Sequence, residues 1–189
     1  MSLYACLLAT RNKLREQLKY ADNEICITER EGRPPATGWD KYVALWGTDW
    51  RPDESDLDLG LSELYSFSVT YTQRVNAIAQ DRIGTEMYVS ENLDTQKVIR
   101  KIILAIHKQY DIITEANNLL EAEDYNQIIE PFRWRGGDAV PILRDASWLK
   151  TWAPDHITDP QFDCFLTLQL DFGGAKRVQA THTTGRTVS

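Results

Sequence analysis

Leu61–Val75, LSELYSFSVTYTQRV, constrains the fold more than any other stretch of the chain. Tyr65, Phe67, Val69 and Tyr71 alternate with Ser66, Ser68, Thr70 and Thr72. A period of two places the aromatic and branched side chains on one face of a strand and the hydroxyls on the other. The strand is expected at the centre of a sheet, with its apolar face on the core. Small hydroxyl side chains on the opposite face suit close contact with a neighbouring layer or subunit better than a solvated, charged face would.

The flanking segments supply the rest of the sheet. Glu24–Glu29 alternates with Ile25 and Ile27 on one side and reads as a strand. Trp39–Trp46, WDKYVALW, has apolar residues on both faces and is expected to be buried on both. Between them, Arg30–Gly38 holds Gly32, Pro34 and Pro35 and reads as a loop. Ile128–Arg135, IIEPFRWR, is strand-like, and Pro131, which has no ladder donor, assigns it to a sheet edge. A short strand or turn is expected around Ile142 and Leu143. Phe162–Phe172 alternates again, and Gly173–Gly174 is expected to close it.

Two segments have helical spacing. Leu3, Leu7, Leu8, Leu14 and Leu18 make residues 3–19 an amphipathic helix. Val98, Ile99, Ile102, Ile103, Ile106, Tyr110 and Ile113 form a seam that predicts one long helix over Leu93–Leu120, with Asn92 or Asp94 as its cap and Lys97, Arg100, Lys101 and Lys108 turned to solvent. Runs of strands separated by single helices favour an α+β domain, a mainly antiparallel sheet with the long helix and the N-terminal helix on one face. The expected limits are a single domain over 1–174 with long insertions at 47–60, 76–91 and 136–161, and a polar, basic tail or arm over 175–189.

Composition narrows the function. A length of 189 residues with 42% hydrophobic content supports one core. The formal charge of −7 disfavours holding nucleic acid by bulk attraction, because that affinity rests on Lys and Arg neutralising phosphates. Cys6, Cys26 and Cys164 are an odd, scattered set and read as free thiols in a reducing cytosol. The N-terminus has no basic region ahead of its short apolar patch, so neither a signal peptide nor a membrane span is expected.

No GxxxxGK[ST], GxGxxG, HExxH or GxSxG is present, and no catalytic, cofactor-binding or metal-ligating residue is assigned. His107 has Asp111 one turn on, and His156 adjoins Asp155, but neither pair has a recognisable third ligand, and His182 lies in the tail. The acidic run Asp49, Asp53, Glu54, Asp56 and Asp58 offers clustered carboxylates ahead of Gly60, yet Ser66 stands where a calcium loop needs its bidentate Glu. A surface that repels DNA or meets a basic partner is the reading the run supports, with a metal-dependent enzyme as the alternative. Arg133, Trp134 and Arg135 mix cation and aromatic as single-strand binders do. In an acidic chain, an edge strand making ion pairs between subunits is the better fit.

Taken together, the N-terminal helix, the two short strands, the acidic loop ending in LSELYSFSVTYTQRV, the helix, FRWR and the closing FDCFLTLQLDF resemble the tail-terminator proteins of long-tailed bacteriophages. More loosely they resemble the wider group of phage neck and tail-completion proteins. The chain is longer than the compact members, with extra residues in 76–91, 121–127 and 138–161. The resemblance implies a non-enzymatic virion protein, made in the host cytoplasm, that forms a homo-oligomeric ring, typically a hexamer. Such a ring ends tail-tube growth and joins the tube to head-completion, stopper or connector proteins, with DNA passing through its channel. No cofactor and no membrane are implied. Candidate interface residues are Arg133, Trp134 and Arg135, the acidic Asp49, Asp53, Asp56 and Asp58, and Lys176 and Arg177 at the start of the tail.

Overall fold

The computed structural model describes residues 2–28, 39–52, 62–76, 86–120, 127–137, 142–145 and 163–178. Three helices lie on one face of a mostly antiparallel sheet, an α+β fold. The expected loop over 30–38 lies outside the described residues.

Helix α1 spans Ser2–Leu18 and strand β1 Ile25–Ile27. Strand β2 runs Lys41–Pro52 and β3 Glu63–Asn76. Helices α2 (Glu86–Ile106) and α3 (Tyr110–Leu119) follow, then β4 (Gln127–Ile129), β5 (Arg133–Gly136), β6 (Ile142–Asp145) and β7 (Asp163–Val178). Seven strands fill five positions. The order is β1-β2-β3-β7, and β4, β5 and β6 share the outer edge of β7. Only β1 and β2 are parallel. β3 therefore occupies the middle position, as its alternation requires. It pairs residue by residue with β7 from Glu63↔Lys176 to Asn76↔Asp163.

The main core lies between this sheet and the helices. Val43 and Leu45 of β2, Phe67, Val69 and Tyr71 of β3, and Leu168, Leu170 and Phe172 of β7 meet Cys6, Leu7 and Leu14 of α1, Ile102 and Ile106 of α2, and Ile112 and Ala116 of α3. On the opposite face, Trp39, Tyr42, Ala44 and Phe165 form a second, smaller cluster, so β2 is buried on both sides. The hydroxyl face of β3 is already out of water within the single chain. Ser68 and Thr72 are fully buried, and Trp46 Nε1 donates to Thr70 Oγ1 at 3.2 Å.

Helix α2 begins at Glu86 and not at Leu93, so it takes in the end of the expected 76–91 insertion, and Asn92 and Asp94 lie inside the helix and do not cap it. Four other boundaries differ from expectation, each for a tertiary reason. β2 does not stop at Trp46. It continues to Pro52, absorbs Thr48 as a bulge between Gly47↔Phe67 and Asp49↔Ser66, and so takes in the first part of the expected acidic loop. Gly47 lies beneath α1, where an added Cβ would sit 2.8 Å from Leu3 Cδ2. It marks a close approach of helix to sheet, not the end of a strand.

Likewise, Gly173 and Gly174 do not close β7, which runs four residues beyond them to Val178. The side chain of Arg135 lies over Gly173, and a Cβ on Gly174 would stand 2.9 Å from Phe132 and 3.0 Å from the Tyr65 hydroxyl. The tail therefore begins later than residue 175.

The long helix breaks after Ile106. Lys108 takes a left-handed conformation (φ 56°), its N–H donates to Phe132 O at 2.8 Å, and Gln109 Nε2 caps Leu104 O at 2.8 Å. The apolar seam runs on through the bend because both helices face one core. IIEPFRWR also divides. Glu130 N still pairs with Ala175 O, but Pro131 has no N–H, and Phe132 turns inward against Tyr65 and Phe67, with ring centroids at 6.0 and 5.3 Å. Both halves remain on the sheet edge, and β6 forms around Ile142 and Leu143 as expected.

Candidate functional site

The sheet has two unlike edges, and the candidate residues divide between them. β5 presents Arg133, Trp134 and Arg135 with their side chains exposed. Arg133 pairs with Gly173 and Trp134 with Phe172, and a bulge at Arg135 precedes Gly136↔Asp171. A bulge re-aims the residue it contains. Here it lays the Arg135 guanidinium across Gly173, on the same side of the sheet as Asp171. Neither arginine forms an ion pair among the described residues.

The backbone of this edge is not open. β7 occupies one side, and the bend between α2 and α3 occupies the other: Lys108 N–H donates to Phe132 O at 2.8 Å, and Trp134 N–H donates to His107 Nδ1 at 3.0 Å. The bend thus takes the place of a further strand, and β5 can meet a partner with side chains but not by adding a strand at these two positions. His107 has this structural task, which nothing in the sequence pattern signals. Trp134 Nε1 closes a local ring by donating to Gly136 O at 2.7 Å, leaving the indole 41% exposed.

The opposite edge behaves differently. Among the described residues β1 covers β2 only over Val43–Leu45, and from Gly47 to Pro52 β2 is exposed. Asp49 is here, opposite Ser66 and 4.0 Å from Arg51 Nε. The bulge, the charged pair and Pro52 are the features that discourage indiscriminate strand addition. Asp53, Asp56 and Asp58 lie outside the described residues, directly after this edge in the chain. Asp49 and Arg133 are separated by the β3–β7 pair, so the fold keeps these two candidates apart within one chain.

Lys176 is not the start of a basic arm. It sits opposite Glu63 on β7, its ammonium 3.3 Å from Glu63 Oε1, with side chains only 10% and 17% exposed. Both charges lie near the Cys6 thiol, which burial pushes up to about 12, and Glu63 also lies near the Tyr65 hydroxyl, which burial raises. The pair is part of the core boundary and is unavailable to a partner. Arg177 pairs along β7 with Ile128; its side chain lies outside the described residues.

Among the described residues no group of three His, Cys, Asp or Glu side chains is placed to hold a metal, and no helix is long and apolar enough to cross a membrane. No family model matches the chain, and no curated protein matches it in sequence.

Proposed function

We propose that this chain is a structural, non-enzymatic virion protein that assembles head to tail into a ring, a hexamer by its resemblance to tail terminators, at the tail–neck junction of a long-tailed phage. The observation that carries the reading is the polarity of the sheet. One edge bears Arg133 and Arg135, which have no ion-pair partner among the described residues, and the other bears Asp49 and leads into the acidic run of Asp53, Glu54, Asp56 and Asp58. A basic edge on one subunit and an acidic run on the next join copies heterologously, and such contacts close into rings when the rotation allows. The net charge of −7 suits a channel that lets DNA pass without trapping it. The tail tube on one side and a head-completion, stopper or connector protein on the other are the partners this reading requires.

Native mass spectrometry of the purified chain, with and without isolated tail tubes, tests it. The expected result is a closed ring, alone or nucleated on the tube end, that Arg133→Glu with Arg135→Glu abolishes while thermal stability stays nearly unchanged. A monomer under both conditions refutes the reading.

A further inference from the structure

A second positively charged surface lies on the helix layer, on the face of α2 turned away from the core. From Thr95 to Tyr110 the chain has Lys97, Arg100, Lys101 and Lys108 and no carboxylate, within a protein of net charge −7. All four cations are exposed. Lys97 pairs with Asp94 at 2.8 Å, whereas Arg100, Lys101 and Lys108 form no ion pair among the described residues. Leu104, one turn beyond Arg100 and Lys101, is 59% exposed in their midst, although its neighbours Ile102 and Ile106 are fully buried.

Beside Leu104 an open groove of about 280 Å³ runs between α1 and α2, lined by Lys13, Gln17, Lys101, Leu104, Ala105 and Gln109. Lys13 is already held by Asp111 and Glu16, so Lys101 is the cation at the groove with no carboxylate of its own. We infer that this groove is a docking site for an acidic, leucine-bearing segment of a partner protein. One aliphatic side chain would sit against Leu104 and Ala105, and flanking carboxylates would meet Arg100 and Lys101. Charge complementarity selects an acidic partner. The exposed leucine selects a peptide over a phosphate backbone, which offers nothing apolar to bury against Leu104 and Ala105. The groove takes no residue from the Arg133–Arg135 edge and does not depend on ring closure.

The test is fluorescence anisotropy with the full chain and three labelled probes: a synthetic peptide alternating Glu pairs with Leu, the same peptide with every Leu replaced by Ser, and a double-stranded DNA oligonucleotide. Binding of the leucine peptide is expected to exceed that of the serine peptide and to weaken with salt. Arg100→Glu with Lys101→Glu should cost about tenfold in affinity, and Leu104→Ser should erase the preference for leucine. Circular dichroism and native mass spectrometry of each variant confirm the fold and separate this outcome from any loss of the ring. Equal binding of the two peptides, stronger binding of DNA, or no effect of the charge reversal overturns the inference.

Discussion

Replacing Glu63 by Gln removes the partner of a lysine that has almost no access to water. Lys176 is 10% exposed at its side chain and lies 3.3 Å from Glu63 Oε1. An ammonium left in such a place keeps its desolvation cost and loses the attraction that offset it, a loss of about 3–5 kcal/mol for a fully buried pair. Glu63 retains 17% exposure, so water can partly solvate the orphaned charge. We therefore expect the Glu63→Gln variant to lose about 2–3 kcal/mol, below the range for pairs that exclude water. For a chain of this length that corresponds to about 5–10 °C in Tm. Lys176→Met should cost less than this, because Glu63 is 17% exposed and keeps an interaction besides Lys176. The double variant Glu63→Leu with Lys176→Met should recover to within about 1 kcal/mol of the parent, because apolar side chains of similar volume replace a buried pair without penalty. Urea unfolding at pH 7, with the slope checked for constancy, measures all three. If both single variants lose less than about 0.5 kcal/mol, the pair is solvated like a surface ion pair and Lys176 is free to serve a partner after all.

Three further outcomes follow from other parts of the structure. Gly137 adopts a left-handed φ of 102°, and an added Cβ would run into Gln169 O and stand 3.1 Å from Asp171 N. Gly137→Ala should therefore cost about 2–3 kcal/mol by urea unfolding, against about 1 kcal/mol for Gly136→Ala, whose φ of 133° is unfavourable but whose surroundings are open. The Lys13–Asp111 contact between α1 and α3 holds the Asp111 carboxyl below its ordinary pKa and the Lys13 ammonium above its own. Its contribution is present above the unfolded carboxylate pKa near 4 and below the unfolded lysine pKa near 10. The small stability difference between the parent and Asp111→Asn should thus vanish as pH falls through the depressed Asp111 value, and again as pH rises through the raised Lys13 value. Finally, Cys6 is fully buried with its pKa raised to about 12, so at pH 8 iodoacetamide should leave it unmodified in the native protein and alkylate it in urea, as read by peptide mass spectrometry.

How much of this was legible beforehand depended on where the cause of each feature lies. The alternation of Tyr65–Thr72 places β3 correctly because both faces of a strand are encoded in consecutive residues. The leucine and isoleucine spacing marks α1, α2 and α3 for the same reason, since burial of one helical face repeats every three or four residues. The edge position of the Arg133–Arg135 stretch and the solvent-facing Lys97, Arg100, Lys101 and Lys108 are also legible, the first because Pro131 has no ladder donor and the second because a cation off an apolar seam has nowhere to go but the surface.

What the tertiary structure alone decided turns on contacts between distant segments. Gly47, Gly173 and Gly174 look like breaks by themselves. They stay in strands because Leu3, Arg135, Phe132 and Tyr65 occupy the space where side chains would be. The apolar seam is uninterrupted through His107–Gln109, and the helix bends there because Phe132 O and Trp134 N, some 25 residues on, need partners that Lys108 N and His107 Nδ1 supply. Lys176 reads as a basic arm until Glu63, 113 positions earlier, is set opposite it in the β3–β7 register. Periodicity reports what each residue does to its own segment, whereas hydrogen-bond closure and ion pairing across a sheet depend on register, which forms only when the segments meet.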